Sequence, residues 1–167
     1  MSKTIKLKKG FDINLAGKPE KKISETSLSE TFALKPTDFP GMERPKLLVK
    51  EGETVKAGSP IYFIRGIEDV KYCSPVSGEI TEIKRGEKRK ILEIKILADK
   101  EIAFEQFKSH SASDINSLSR EDAIEQMKAS GVWPNLVQRP FGIVANPADK
   151  PKAIYISAFD TNPLAPE

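Results

Sequence analysis

Two short stretches of this chain, 34 positions apart, read almost alike. Val49-Lys50-Glu51-Gly52-Glu53 precedes a strand-like run over residues 60–64, and Ile83-Lys84-Arg85-Gly86-Glu87 precedes another over residues 91–96. Ser74-Pro75-Val76-Ser77-Gly78 lies between them. At Glu51-Gly52-Glu53 the glycine supplies the positive φ that a tight turn needs. Short strands with a turn about every eight to twelve residues predict a sandwich or barrel. Each half alone would leave its apolar face in water, so the two halves must interlock.

The remaining punctuation fits this reading. Residues 4–8 alternate with period two, as a half-exposed strand does. Residues 18–29 are polar and read as an extended surface segment, and Thr31-Phe32-Ala33-Leu34 as a strand. Pro36, Pro40, Gly41 and Pro45 enforce an irregular connection. Further strands are expected over residues 46–49, 61–64, 70–73, 78–84 and 90–96, and Ile61-Tyr62-Phe63-Ile64 is apolar enough to be buried on both faces. The character changes near Phe104. Ser119 is placed to cap a helix, with acids in its first turn and Gly131 to stop it. Ala123, Ile124 and Met127 share one face of that helix. Trp133-Pro134 and Arg139-Pro140-Phe141 then form an irregular, aromatic-anchored segment, and residues 153–159 read as a buried parallel strand. One parallel strand cannot make a sheet, so the chain reads as the front part of a longer polypeptide or as a domain completed by a partner.

Composition closes off several functions. The 27 basic and 24 acidic residues leave a net charge of +3, too little to argue for nucleic acid. One cysteine, Cys73, excludes an internal disulfide and a cysteine-held zinc or iron–sulfur centre. One histidine, His110, leaves little for a Ser-His triad, and the scattered acids Asp12, Glu51, Glu53 and Glu68 show no pairing for acid–base work. Charges in the first nine residues stand where a signal peptide needs an apolar run. No stretch approaches the roughly 20 apolar residues of a membrane span. A cytoplasmic chain, free or peripheral on a membrane, is expected.

The twin turns around Pro75-Val76-Ser77-Gly78 resemble the quasi-twofold barrel-sandwich hybrid of lipoyl and biotinyl carrier domains. Such domains present an attachment lysine at a hairpin tip about eight residues before the equivalent proline; here that position is Ile67. Arg65-Gly66-Ile67-Glu68-Asp69-Val70 replaces the acid-rich flank, and Lys71 reads as a solvated strand lysine.

A more specific resemblance runs along the whole chain. Lys8-Lys9-Gly10-Phe11-Asp12, Leu15-Ala16-Gly17-Lys18-Pro19-Glu20, Val49-Lys50-Glu51-Gly52, Arg85-Gly86-Glu87-Lys88-Arg89, Ser130-Gly131-Val132-Trp133, Arg139-Pro140-Phe141 and Asp160-Thr161-Asn162-Pro163-Leu164-Ala165 resemble the A-subunit family of the sodium-translocating NADH:quinone oxidoreductase. The resemblance implies a longer protein, with a carrier-like β domain, a Rossmann-like domain, a ubiquitin-like domain and a helical tail. Residues 1–100 would be the carrier-like domain, with residues 1–45 wrapping it as an irregular extension. Residues 101–167 would be a helical linker and the first strand of the Rossmann-like domain. The fold class is thus mainly β with an α+β extension. The resemblance also implies a complex that uses NADH, flavins, iron–sulfur centres and ubiquinone to pump sodium. Its A-subunit has no redox cofactor of its own, lies at the cytoplasmic face of the bacterial inner membrane beside the other subunits, and has been linked to the quinone-binding region.

Related flavin subunits carry a glycine-rich loop after the corresponding helix, where backbone N–H groups reach a phosphate. Residues 131–141 keep one glycine there and put bulk, Trp133 and Leu136, in its place, so FMN and NADH are not expected to bind. The sites left are for docking. Residues 84–90 place five positive charges in a turn, with Arg85, Lys88 and Arg89 as candidates; the plain alternative is a solvated hairpin tip. Arg139 and Phe141 pair a planar cation with an aromatic anchor; the plain alternative is a packing corner. Two other readings remain open: a free-standing lipoyl/biotinyl-like module, and an electron-transport subunit of the Rnf type.

Overall fold

In the computed structural model the described residues are 6, 8, 16–17, 20, 22–27, 29–42 and 44–158. Residues 28–150 form one unit, and residues 1–27 with 151–167 form another. The strand expected over residues 4–8 lies outside the described residues.

Among the described residues, the larger unit holds two main antiparallel sheets and a small two-stranded one. In the first, β1 (Thr31–Leu34), β7 (Ile91–Ala98), β6 (Gly78–Arg85) and β3 (Thr54–Val55) lie side by side. In the second the order is β2 (Pro45–Leu47), β4 (Pro60–Ile64), β5 (Ile67–Cys73). The β2–β4 register carries one residue past Leu47, where the Leu48 amide donates to the Ile61 carbonyl at 2.9 Å. Ile80, Ile94 and Ile96 from the first sheet face Tyr62, Val70 and Tyr72 from the second, all buried in one core. Ile61 belongs to that same core, and Phe63 is buried outside it, so the run is buried on both faces of β4 as expected.

The Ser74–Gly78 segment ties the sheets together. The Ser74 amide donates to the Ser59 carbonyl and the Ser74 carbonyl accepts from Gly58, each at 2.8 Å. Ser77 accepts from Asp99 on its carbonyl and from the Ala103 amide on its Oγ, each at 2.9 Å. Gly78 has φ +152°, and a Cβ there would stand 1.9 Å from the Leu97 carbonyl oxygen. Only a residue without a side chain lets β6 start against β7 at this distance.

The twin turns fold differently. At Gly52, φ is +83°; its amide bonds the Ile80 carbonyl, and the Glu51 carboxylate accepts from the Ile83 amide at 2.6 Å, so this turn wraps onto β6. Gly86 is instead extended (φ −101°, ψ −157°), and Lys88 and Arg89 take the left-handed backbone, at φ 53° and 61°.

Beyond the sheets, α1 (Ala112–Ile115) is a single turn and α2 (Arg120–Ala129) is the main helix. As expected, the Ser119 hydroxyl accepts from the Asp122 amide at 3.1 Å, and Gly131 (φ +73°) ends the helix. Ile124 and Met127 pack on the core. Gly131 lies so close over β5 that a Cβ would meet Cys73 Sγ at 2.8 Å. Val137–Gln138 (β8) and Ile143–Val144 (β9) form a short hairpin.

One expectation fails. Residues 153–158 form no strand and are exposed, Tyr155 at 93%; Phe159 lies outside the described residues. Every named ladder is antiparallel, and among the described residues no parallel sheet is formed for this run to join.

The core yields two predictions. Gly78→Ala must push β6 from β7 and should cost about 3 kcal/mol or more in urea unfolding. Tyr62 and Tyr72 stack at 4.8 Å, and neither buried hydroxyl has a hydrogen-bond partner among the described residues. Burial alone pushes the Tyr72 hydroxyl up to about 12. Tyr72→Phe removes this unpaired group while keeping the ring, so unfolding should show a gain of about 1 kcal/mol.

Candidate docking surface

The basic turn is the connection between β6 and β7. Register fixes its charges: Lys84 stands opposite Glu93 and pairs with it at 3.1 Å. That hydrogen bond is the first cause holding the Glu93 carboxyl below its ordinary range. Lys95 is held by Glu82 at 2.5 Å and sits 3.7 Å from Glu93. One of the five turn cations is therefore neutralised. Arg85, Lys88, Arg89 and Lys90 are exposed and form no ion pair among the described residues. The Arg85 guanidinium reaches the Arg89 carbonyl at 3.5 Å. Two successive non-glycine residues in the left-handed region cost of order 1–3 kcal/mol each, and the rest of the hairpin must hold them there.

Arg139 and Phe141 stand on a different hairpin. The turn between β8 and β9 contains a cis Arg139–Pro140 peptide and left-handed Gly142, and the Gly142 amide closes it on the Gln138 carbonyl at 2.9 Å. Phe141 is 78% exposed, and Val137 and Ile143 are also exposed. The packing corner offered as the plain alternative is therefore elsewhere: it is Trp133, buried, whose Nε1–H donates to the Ala145 carbonyl at 2.7 Å. Leu136 packs beside it against the core. The bulk of residues 131–141 thus anchors the hairpin that carries Arg139 and Phe141. No hydrogen bond or ion pair among the described residues joins this hairpin to the basic one.

A third feature escapes sequence reading because it links residues far apart in the chain. Lys128 of α2 is nearly buried and bridges Asp69 of β5 and Glu125, each at 2.5 Å. Its hydrogen bond holds the Asp69 carboxyl below the usual range, and the two carboxylates raise the Lys128 ammonium. These groups floor a shallow groove of about 310 Å³, rimmed by Arg120, Ile124 and Pro147.

The titratable residues singled out from sequence have structural surroundings. Cys73 is half-buried in β5, and desolvation pushes its thiol up to about 11, against a thiolate role. His110 is half-buried, with Nε2 2.8 Å from Gln126 Oε1. Among the described residues no three His, Cys, Asp or Glu side chains converge as metal ligands. None of their helices is long and apolar enough to cross a membrane. Lys71 lies on β5 and donates to the Glu68 carbonyl at 2.6 Å. The β4–β5 turn itself presents Arg65-Gly66.

Two interlocked antiparallel sheets joined through Ser74–Gly78, followed by a helix and an aromatic anchor, define a barrel-sandwich hybrid with an α/β extension. Residues 5–99 match the family model described as the NqrA N-terminal barrel-sandwich hybrid domain, and residues 118–167 match that of the NqrA second alpha/beta domain. The chain belongs to the NqrA family. It is 39% identical over 162 residues to the A-subunit of the Na(+)-translocating NADH-quinone reductase of Marinomonas sp. (strain MWYL1). It is 40% identical over 162 residues to that of Alcanivorax borkumensis and 38% over 161 to that of Tolumonas auensis. Each alignment covers 96% of this chain and 36% of the relative, so the chain spans about a third of the length of these curated relatives.

The Lys128 bridge sets a pH dependence. Asp69 has a lowered folded pKa, so its stabilisation is present above the ordinary carboxylate pKa and is lost as pH falls through the folded value. Because Asp69 is half exposed, solvent screens the pair. Asp69→Asn should cost about 1 kcal/mol at neutral pH, and the difference from the parent should shrink in acid unfolding as pH falls below the ordinary carboxylate range.

Proposed function

We propose that this chain comprises the N-terminal and second domains of the A-subunit of a Na+-translocating NADH:ubiquinone reductase, and acts there as a docking element. In this reading the carrier-like scaffold covers residues 1–100, and the helical linker and start of the Rossmann-like domain cover residues 101–167. NADH oxidation, flavin and iron–sulfur electron transfer and ubiquinone reduction belong to the assembled complex, and this chain supplies no redox centre. It sits peripherally at the cytoplasmic face of the membrane. Arg85, Lys88 and Arg89 face an acidic surface of a partner subunit, and Arg139 with Phe141 supplies a second contact that approaches the quinone region.

The observation that carries this reading is the basic hairpin. Four of its five cations are exposed and form no ion pair among the described residues, and two of those occupy left-handed backbone that costs stability in the isolated chain. Strain of this kind persists where surrounding structure enforces it and clusters at functional sites. Charge complementarity at such a rim governs encounter and orientation.

The full-length gene product, co-expressed with the membrane subunits of its complex, provides the test. Charge reversal of Arg85, Lys88 and Arg89 together should abolish co-purification while the isolated protein keeps its unfolding midpoint. Unchanged co-purification counts against docking through this hairpin. Photo-crosslinking with a quinone probe should label the peptide containing Phe141; labels confined to membrane subunits remove the quinone contact.

A further inference from the structure

The outer face of the β2-β4-β5 sheet carries a row of cations that the docking hairpins do not include. Register places Lys46 of β2, Phe63 of β4 and Lys71 of β5 directly across from one another. Both ammonium groups lie over the Phe63 ring, at 5.6 Å from its centroid for Lys46 and 4.8 Å for Lys71. Their stems cover Phe63, which is buried although it points away from the core between the sheets. Arg44, exposed before β2, and Arg65, exposed at the β4–β5 turn, extend the row toward one end of the sheet. Acids border the row on that same side: Asp69 lies two residues from Lys71 toward the β4–β5 turn, where Lys128 joins it to Glu125 of α2.

We infer that this face is a recognition surface for an acidic polypeptide segment whose carboxylates seat between Lys46 and Lys71. The ring attracts both ammonium groups and limits how far they swing, so less side-chain entropy is lost when an anion arrives. Lys71 gives one N–H to the Glu68 carbonyl, and neither lysine forms an ion pair among the described residues. A polypeptide fits better than an anionic lipid surface for two reasons. The charges lie along the sheet instead of projecting from it, and a headgroup plane would also have to cover Glu68, Asp69 and Glu125. A chain segment can place carboxylates on the lysine row and avoid those acids. This surface is separate from the β6–β7 hairpin, so it can hold or fail independently of the proposed docking there.

The test is titration of a short poly-glutamate peptide into the full-length gene product by calorimetry at low salt, alongside flotation on phosphatidylglycerol vesicles. In a background carrying Lys88→Gln and Arg89→Gln, so that the basic hairpin does not compete for the peptide, the double substitution Lys46→Gln with Lys71→Gln should weaken peptide binding about tenfold, and Lys100→Gln with Lys108→Gln should leave it within about twofold. Vesicle binding should be the same in the parent and the Lys46/Lys71 variant. If the double variant unfolds early, Lys46→Gln alone, on the edge strand, should still weaken the peptide, and Lys71→Arg should bind as the parent does. The inference is overturned by absence of peptide binding, by peptide binding that survives the Lys46 and Lys71 changes, or by a loss seen only with vesicles.

Discussion

The close approach at Gly78 is the constraint on which the larger unit rests. With the Leu97 carbonyl oxygen standing where a Cβ would be, β6 can begin against β7 only if position 78 has no side chain. The residues just before it, Ser74 and Ser77, direct their polar groups to the backbone of residues 58–59, 99 and 103. One pentapeptide therefore fixes where β5 ends, where β6 starts and how the segment after β7 returns. The core isoleucines of β6 and β7 meet the tyrosines of β4 and β5 because this crossing sets their register.

Much of this was legible because its signals are local. The turn at Gly52, the short apolar strands and the Ser119 cap each act over a few residues, and each folds as read. The misreadings come from interactions that sequence does not bring together. Residues 153–159 have the composition of a buried strand, but a strand is a relation between neighbours, and composition is silent on the neighbour. Gly86 looks like the twin of Gly52, yet the left-handed positions are Lys88 and Arg89, because the extended glycine lies under Leu92, where a Cβ would come within 3.0 Å of Cδ1. Of the candidate site, Arg139 and Phe141 could be named from sequence, but the exposure of Phe141 and the burial of Trp133 as the packing corner could not. The Asp69–Lys128 bridge spans 59 positions and leaves no periodic trace.

The carrier-like scaffold is turned to another use at the atoms where a carrier would work. A swinging arm needs an amine at the hairpin tip, free of the sheet. The tip here holds Arg65-Gly66, and the nearest lysine, Lys71, is drawn back over Phe63 and onto the Glu68 carbonyl. The same interactions that disqualify Lys71 as an arm make it a fixed charge. The fold keeps the rigidity of the carrier class and uses it to hold cations in place.

That rigidity separates two kinds of basic surface on a chain whose net charge is only +3. At the β6–β7 turn the cations project from a strained tip, and their field reaches about a Debye length, roughly 8 Å, into solvent. Such charges steer an approaching partner and lose their effect in salt. On the β2-β4-β5 face the ammonium groups lie flush against a ring, with acids at the border. Opposite signs side by side cancel at a distance and are felt only at contact, where mismatched charges are costly. In the proposed reading the first arrangement would govern encounter and the second fit, so a partner selected by both would associate with a salt-sensitive rate and dissociate at a rate set by the sheet.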